Sequence, residues 1–557
     1  MSKYLYLFSL SVSIFFLTAC GGGGDSSSDS SDARATALVQ NDIVKFAPSQ
    51  SSSSYMLEQI DNASFNALSK EDQYKVADKL LTTLFYAYPY GELKTRVDSN
   101  TFISDIRNQL LYSTNNMDEV EAEIHDTDHY YSSDSRPQNI MLSRFALMKD
   151  LDKNFFNHWM SYILTQTILF SPASELDTVS YPDAYAVYNR LYYHIEDDVS
   201  MRYSTFEHMM SDENWRRFRS SEDNGREMLE IYALDGNDAD VPIAAQALKN
   251  WHLSRYADTL VVSQERNTEP LSLLGDMQFT TGVDFYSALA NSSAFTKGVT
   301  TRLVRFMFTN TKPTKQSEII SKIVSSKPEA WSDILQQIVF SKEYLLHTQR
   351  AKSIEELTFS LMKKLSYNPY YYTFNNMSDA MDKMGQSSMK YKLGKITRVP
   401  LDDISFAFYQ DYLRNRIFRT RSIDATLSYN PHSADNDTKN SAYIMSNYKN
   451  SSRRGVSSKI FMAEKNYVTV QDDANATNTN YINYVFNSTL NRKSNTQELG
   501  VLLNHISQSY YYKGLVYENQ DKDYEVYARY SNRNNFNYLI FEYILRTDEL
   551  YFFKEIN

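Results

Sequence analysis

Glu222, Arg226 and Glu230 stand four residues apart in the run Glu222-Asp223-Asn224-Gly225-Arg226-Glu227-Met228-Leu229-Glu230. On a helix that spacing makes one row, with the cation between two carboxylates. A neighbouring cation lowers a carboxyl pKa, which suits a permanent ion pair and ill suits a general acid that must hold a proton near neutral pH. Glu227 points about 100° away from Arg226 on an ideal helix and is the freer carboxylate. The four residues read first as a structural ion network and second as a catalytic or binding centre.

His125-Asp126-Thr127-Asp128-His129 holds the one pair of histidines at helical ligand spacing, with Glu121 and Glu123 ahead of it. Two imidazoles so spaced can share a metal, but an HExxH zinc site needs a glutamate directly after the first histidine, where Asp126 stands. The plainer reading is a solvated acidic turn. Asp435-Asn436-Asp437 and Asp472-Asp473-Ala474-Asn475 lack the glycine and closing glutamate of an EF-hand and read as polar loops. Arg414, Arg416, Arg419 and Arg421 close a helix beginning near Asp402, where cations complement the helix dipole. Trp251 reads as a core residue, and secondly as a stacking platform for a ligand. Tyrosine is abundant, with triplets at Tyr370 to Tyr372 and Tyr510 to Tyr512, and its commoner use is packing between helices.

No P-loop, nucleophile elbow or dinucleotide fingerprint occurs, so nucleotide-dependent and ordinary serine-hydrolase mechanisms lose their sequence support. Cys20 is the only cysteine, which leaves no disulfide, thiolate zinc site or haem attachment in the body. No metal or cofactor is expected. The net charge of −11 argues against a nucleic-acid binder, which carries a basic footprint.

Lys3, the apolar stretch Tyr4 to Phe16, and Leu17-Thr18-Ala19-Cys20 resemble a bacterial lipoprotein signal over residues 1–19. In such signals the cysteine sulfur takes a diacylglyceryl thioether, and cleavage leaves Cys20 as the first residue. Two or three acyl chains, at roughly 0.8 kcal/mol per buried methylene, would hold the protein on the membrane. Gly21 follows, rather than the aspartate that resembles inner-membrane retention signals, so the outer membrane is favoured, on its periplasmic or cell-surface face. Residues 20–54 are rich in glycine and serine and bury too little to offset ordering entropy. A disordered tether is expected, spanning about 30 Å as a coil.

The elements that must position these residues are helices. Val76, Leu80, Leu81 and Leu84, and later Trp331, Ile334, Leu335, Ile338 and Val339, recur at helical spacing, while alternating strand patterns are scarce. Ser326 and Glu329 form a capping-box pair for the second of these helices, with Pro328 in its first turn. Asp240 is the expected N-cap of a helix running to Trp251. The predicted fold is all-α and multi-helical, with a helical lobe over 55–350 packed on a C-terminal helical region over 351–557. The latter includes a loop-rich stretch at 422–480. The order of helices before Ser341-Lys342-Glu343-Tyr344 echoes that before Thr547-Asp548-Glu549-Leu550, which reads first as two ordinary helical hairpins of shared composition and second as a degenerate internal repeat.

The run Glu222 to Leu234 resembles the ENxxRExxELxxL signature of the domain of unknown function family number 1800, a group of exported bacterial proteins. Asp240-Val241-Pro242-Ile243-Ala244-Ala245-Gln246-Ala247-Leu248-Lys249-Asn250-Trp251 is similar to its DVxxAARALTGW. Leu273-Leu274-Gly275, the stretch Thr300 to Phe306, and Ser341-Lys342-Glu343-Tyr344 match further points in the same order, over roughly residues 75 to 350. The family usually has a His-Asp pair and a lysine where Arg266-Asn267 and Leu271 stand, and His-Pro where Ser292-Ser293 stand. The resemblance implies a helical exported protein without a defined reaction, and an exported sulfatase-like protein as partner. The expected role is a membrane-anchored binding or scaffold component. The alternatives are a hydrolase of envelope or extracellular polymers centred on Glu222, Arg226, Glu227 and Glu230, and a lipoprotein that binds polysaccharide.

Overall fold

The computed structural model describes residues 55–125, 137–168, 181–256, 259–263, 265–364, 371–384, 403–414, 474–508 and 540–556. All of them belong to one compact unit, Ala47–Asn557. The signal, Cys20, the tether, His129, Arg416, Arg419, Arg421, Asp435 to Asp437, Asp472 and Asp473, Tyr370 and Tyr510 to Tyr512 lie outside the described residues, as does most of 422–480.

The fold is multi-helical, as expected. Its first part comprises α1 (Asn62–Asn66), α2 (Lys70–Phe85), α3 (Tyr90–Asp98), α4 (Phe102–Gln109), α5 (Met117–His125), α6 (Pro137–Leu147), α7 (Lys153–Thr167) and α8 (Tyr181–Glu196). There follow α9 (Met201–Met209), α10 (Asp212–Arg217), α11 (Ser221–Met228) with a π turn over Leu229–Ala233, and α12 (Val241–Ala247). Two short antiparallel hairpins come next, β1 (His252–Leu253) with β2 (Leu260–Val261), and β3 (Leu271–Leu273) with β4 (Met277–Phe279). Then come α13 (Gly282–Asn291), α14 (Ser293–Met307), α15 (Pro313–Ser325), α16 (Trp331–Val339), α17 (Lys342–Leu345), β5 (Arg350–Ala351) and α18 (Ile354–Lys364). The later helices are α19 (Tyr371–Lys383), α20 (Asp403–Tyr412), α21 (Ala474–Leu490), α22 (Thr496–Gln508) and α23 (Asp548–Tyr551), and β6 (Phe552–Phe553) pairs antiparallel with β5. Among the described residues no helix is long and apolar enough to cross a membrane.

Helix α2 forms as its periodicity requires: Ser69 caps it, and Val76, Leu80, Leu81 and Leu84 are fully buried. Helix α7 is buried on every side from Asn154 to Thr167 and packs against α2, α8, α14 and α16. Several of its buried polar side chains are partnered. The hydroxyls of Ser161, Thr165 and Thr167 donate to carbonyls of their own helix, and His158 Nδ1 meets the Tyr188 hydroxyl at 2.7 Å. At its start the Asp152 carboxylate accepts from the backbone N–H groups of Phe155, Thr114 and Asn115, so one residue caps α7 and pins the preceding turn.

Helix α16 begins later than Ser326 and Glu329 predict. Its N-cap is Ala330, and the Asp333 carboxylate accepts from the backbone N–H groups of Glu329 and Ala330. Ser326 instead ends α15, donating to the Ile323 carbonyl.

The two expected helical parts meet through buried charge. Arg350 lies fully buried and grips Glu356 with both guanidinium nitrogens, at 2.7 and 2.6 Å, while also donating to Thr83 of α2. Asp78 of α2 takes Lys364 at 2.7 Å and Asn491. Burial pushes the Asp78 carboxyl up, but Lys364 and Lys352 outweigh it and hold it below its usual range. Lys315 reaches Glu343 in α17, and Arg492, just before α22, reaches Glu549 in α23.

Candidate functional site

Helix α11 starts at Ser220, whose hydroxyl caps the Asp223 N–H. The Arg226 guanidinium lies 3.4 Å from Glu222, with the two side chains at 40% and 68% exposure. The Glu222–Arg226 half of the predicted row is thus in place as an i,i+4 pair. Glu230 lies in a π turn over Leu229–Ala233 that follows the helix. Glu227 lies on the opposite, buried face, at 3% exposure, beside Asn224 and Met228. It does not open onto solvent.

The rest of the motif serves packing. The Asn224 amide oxygen accepts from the Tyr286 hydroxyl at 2.6 Å, tying α11 to α13. A Cβ on Gly225 would lie 2.8 Å from the Ala244 Cβ, so the glycine and alanine allow α11 and α12 to cross closely. Asp240 occupies the N-cap position of α12, but its side chain makes no cap and accepts instead from the Asn237 amide. Trp251 is a core residue, at ring-centroid distances of 5.9 Å from Trp215 and 5.8 Å from Tyr286.

The end of the π turn is held from α14. Arg302 donates from Nε to the Ile231 carbonyl at 2.7 Å and from Nη2 to the Glu230 carbonyl at 2.8 Å. These are carbonyls that a helix terminus leaves without intrahelical partners. Burial pushes the Arg302 guanidinium down to about 10, with the Tyr232 phenol opposing. Four residues earlier in α14, Gly298 admits the Tyr232 carbonyl, which a Cβ there would approach to 2.1 Å.

A second group of charges, beyond those singled out by spacing, lies across α8, α9 and α10. Arg190 meets Glu213 at 2.7 Å, and His194 Nε2 meets Glu207 at 3.1 Å. Burial raises the Glu207 and Glu213 carboxyls, but His194 on the first and Arg190 on the second hold them below their usual range. His208 is fully buried, and burial pushes it down to about 3, with Arg190 adding to the effect. Arg190 and Arg217 also act on the Tyr232 phenol, as Arg302 does, so this group is continuous with the motif. The one sequence signal was the Arg190–His194 spacing of four on α8.

A carboxylate on one nitrogen of an imidazole is the arrangement of a general base. In His194, however, the other nitrogen, Nδ1, is buried without a hydrogen-bonding partner, and no hydroxyl or thiol stands in hydrogen-bond reach of it. Among the described residues no group of three or more His, Cys, Asp or Glu side chains is placed to hold a metal ion. His125 is the last residue of α5, and its predicted companion His129 lies outside the described residues. Arg414 pairs in bidentate fashion with Glu542, one contact at 3.0 Å, so its charge is already met. Compared with known proteins, the chain matches no family model, no curated protein and no solved structure.

Proposed function

We propose that the protein is a lipid-anchored binding or scaffold component of the bacterial cell envelope, a divergent member of family number 1800 held to the outer membrane through Cys20. One observation carries this reading. Residues within and facing the motif join helices: Asn224 bonds Tyr286, Gly225 lies against Ala244, and Arg302 of α14 holds the carbonyls of Glu230 and Ile231. The carboxylate best placed by sequence for acid–base work, Glu227, is sealed from solvent. A rigid helical body on a long glycine- and serine-rich tether suits the capture of a partner near the membrane.

The test has two arms. Metabolic labelling with a fatty acid should mark the wild-type protein and leave Cys20→Ser unlabelled and uncleaved. Label on the mutant overturns the anchor. Pull-down from detergent-solubilised envelopes with the full-length protein should recover a specific envelope component, while a panel of hydrolase substrates shows no turnover. Turnover that vanishes in Glu227→Gln with the fold intact overturns the scaffold reading in favour of a hydrolase.

A further inference from the structure

The hairpin β3–β4 and the outer side of α13 enclose an open groove of about 620 Å3. That size lies within the range of small-molecule sites, about 300–1,000 Å3. Its character follows from the strand period of two. Leu273, Met277 and Phe279 turn towards the core, so Ser272 and Gln278, which face each other across the hairpin, turn outward.

The groups presented are neutral and uncommitted. Ser272, Gln278, Thr280 and Ser287 line the groove, and their side chains make no hydrogen bond within the protein. The Asn291 amide donates to the Ser287 carbonyl at 2.9 Å, which fixes the group and leaves its own oxygen as an acceptor. Asp284 is held through one oxygen by the N–H and hydroxyl of Thr281, in the capping box of α13, and its second oxygen remains to accept. Leu271 and Ala288, both half-buried, supply an apolar ledge between these groups. No lysine, arginine or histidine lines the groove, so a phosphate or an anionic polymer would find no counter-charge.

The walls are set before any ligand arrives. Leu274 and Gly275 both hold positive φ, at 55° and 81°, and turn the hairpin. Asn267 donates to the carbonyls of Glu269 and Thr280, which clamps the two ends of the hairpin together. Groups fixed in this way lose little freedom on binding.

We propose that this groove binds a neutral saccharide, a short stretch of an envelope or extracellular polysaccharide. The assignment rests on the reading of the protein as a binding component and names a ligand class for it. Sugar hydroxyls match an array of neutral hydroxyl and amide groups with a single carboxylate, and the C–H face of the ring matches the apolar ledge.

Isothermal titration of the full-length protein in detergent with maltopentaose, cellopentaose and chitotetraose tests it. A galacturonate oligomer serves as the anionic arm and a Gly-Ser decapeptide as the extended-peptide arm. At least one neutral oligosaccharide should saturate the protein. Ser287→Trp, which fills the groove from its solvent side, should weaken that binding by at least about tenfold, and Gln278→Ala by a few-fold. Circular dichroism should show both variants folded, and Gln278→Ala, at an exposed strand position, serves if Ser287→Trp does not fold. Failure of all three neutral sugars to saturate, unchanged affinity in a folded variant, or preference for the acidic oligomer or the peptide overturns the inference. Recovery of an envelope component in the pull-down while no sugar binds would remove the saccharide assignment and leave the binding-component reading in place.

Discussion

Two arginines near one motif do opposite work. Arg226, singled out by its spacing, is half-buried and pairs with the exposed Glu222. Arg302, some seventy residues on, is buried and holds the two carbonyls that end the motif's helix. An exposed i,i+4 pair contributes about 0.3–0.5 kcal/mol, whereas each buried carbonyl left without a donor costs about 1–3 kcal/mol. Arg226→Ala should therefore shift the urea midpoint by a barely measurable amount, and Arg302→Met should lower stability by roughly 2–4 kcal/mol. Equal shifts in the two variants would contradict this assignment. The Glu222–Arg226 pair was legible in the sequence because helical spacing is local. Arg302 was readable only as a residue of a further helix, because what it does depends on which turn α14 packs against.

At the scale of elements, close crossing is set by glycine. Ala normally outranks Gly inside a helix by up to about 1 kcal/mol, so Gly91→Ala in α3, with nothing within 4 Å of its Cβ position, should leave stability unchanged or raise it. Gly298→Ala should do the reverse by about 1–3 kcal/mol or more, since the new methyl meets the Tyr232 backbone carbonyl and α14 must move off the π turn. Thermal melts of the two variants check the sign, and a stabilised Gly298→Ala would show that the two elements are not in contact. Periodicity revealed α2 and α16 because their apolar stripes are strong. The start of α16 was misplaced because Ser326 and Glu329 satisfy the same local pattern that Asp333 in fact completes. The π turn left no local mark, and the pairs Arg190–Glu213 and His194–Glu207 join separate helices, which no single-segment pattern can show.

For the molecule as a whole, buried histidines govern the response to acid. Burial, with Arg190 and Arg217 adding to it, pushes His208 down to about 3, and burial with Arg144 pushes His158 well below its usual value. The unfolded chain takes up these protons near pH 6.5 and the folded one does not. Their contribution is therefore fully present above about pH 6.5 and is lost as pH falls towards the folded values, at up to ~1.4 kcal/mol per pH unit for each histidine. The urea midpoint should begin to fall between pH 6.5 and 5, before the carboxylates titrate, and His208→Phe should flatten that limb. A midpoint constant from pH 7 to 5 would contradict the prediction.

The strand pair β5–β6 has a consequence for how the chain is made. Lys352 reaches Glu549, 197 positions further on, and Asp78 waits for Asn491, 413 positions away. Synthesis delivers these partners long after the residues they meet. Until Phe553 arrives to lie against the guanidinium of Arg350, at 4.6 Å, one side of that charged centre has no cover. The earlier helices can form as they emerge, but closure around Arg350 waits for Phe553, and contacts this distant in sequence form slowly. The nascent protein thus passes through a long unclosed state, in which a holding chaperone would find its apolar helices open and a chain cut short before β6 would remain so.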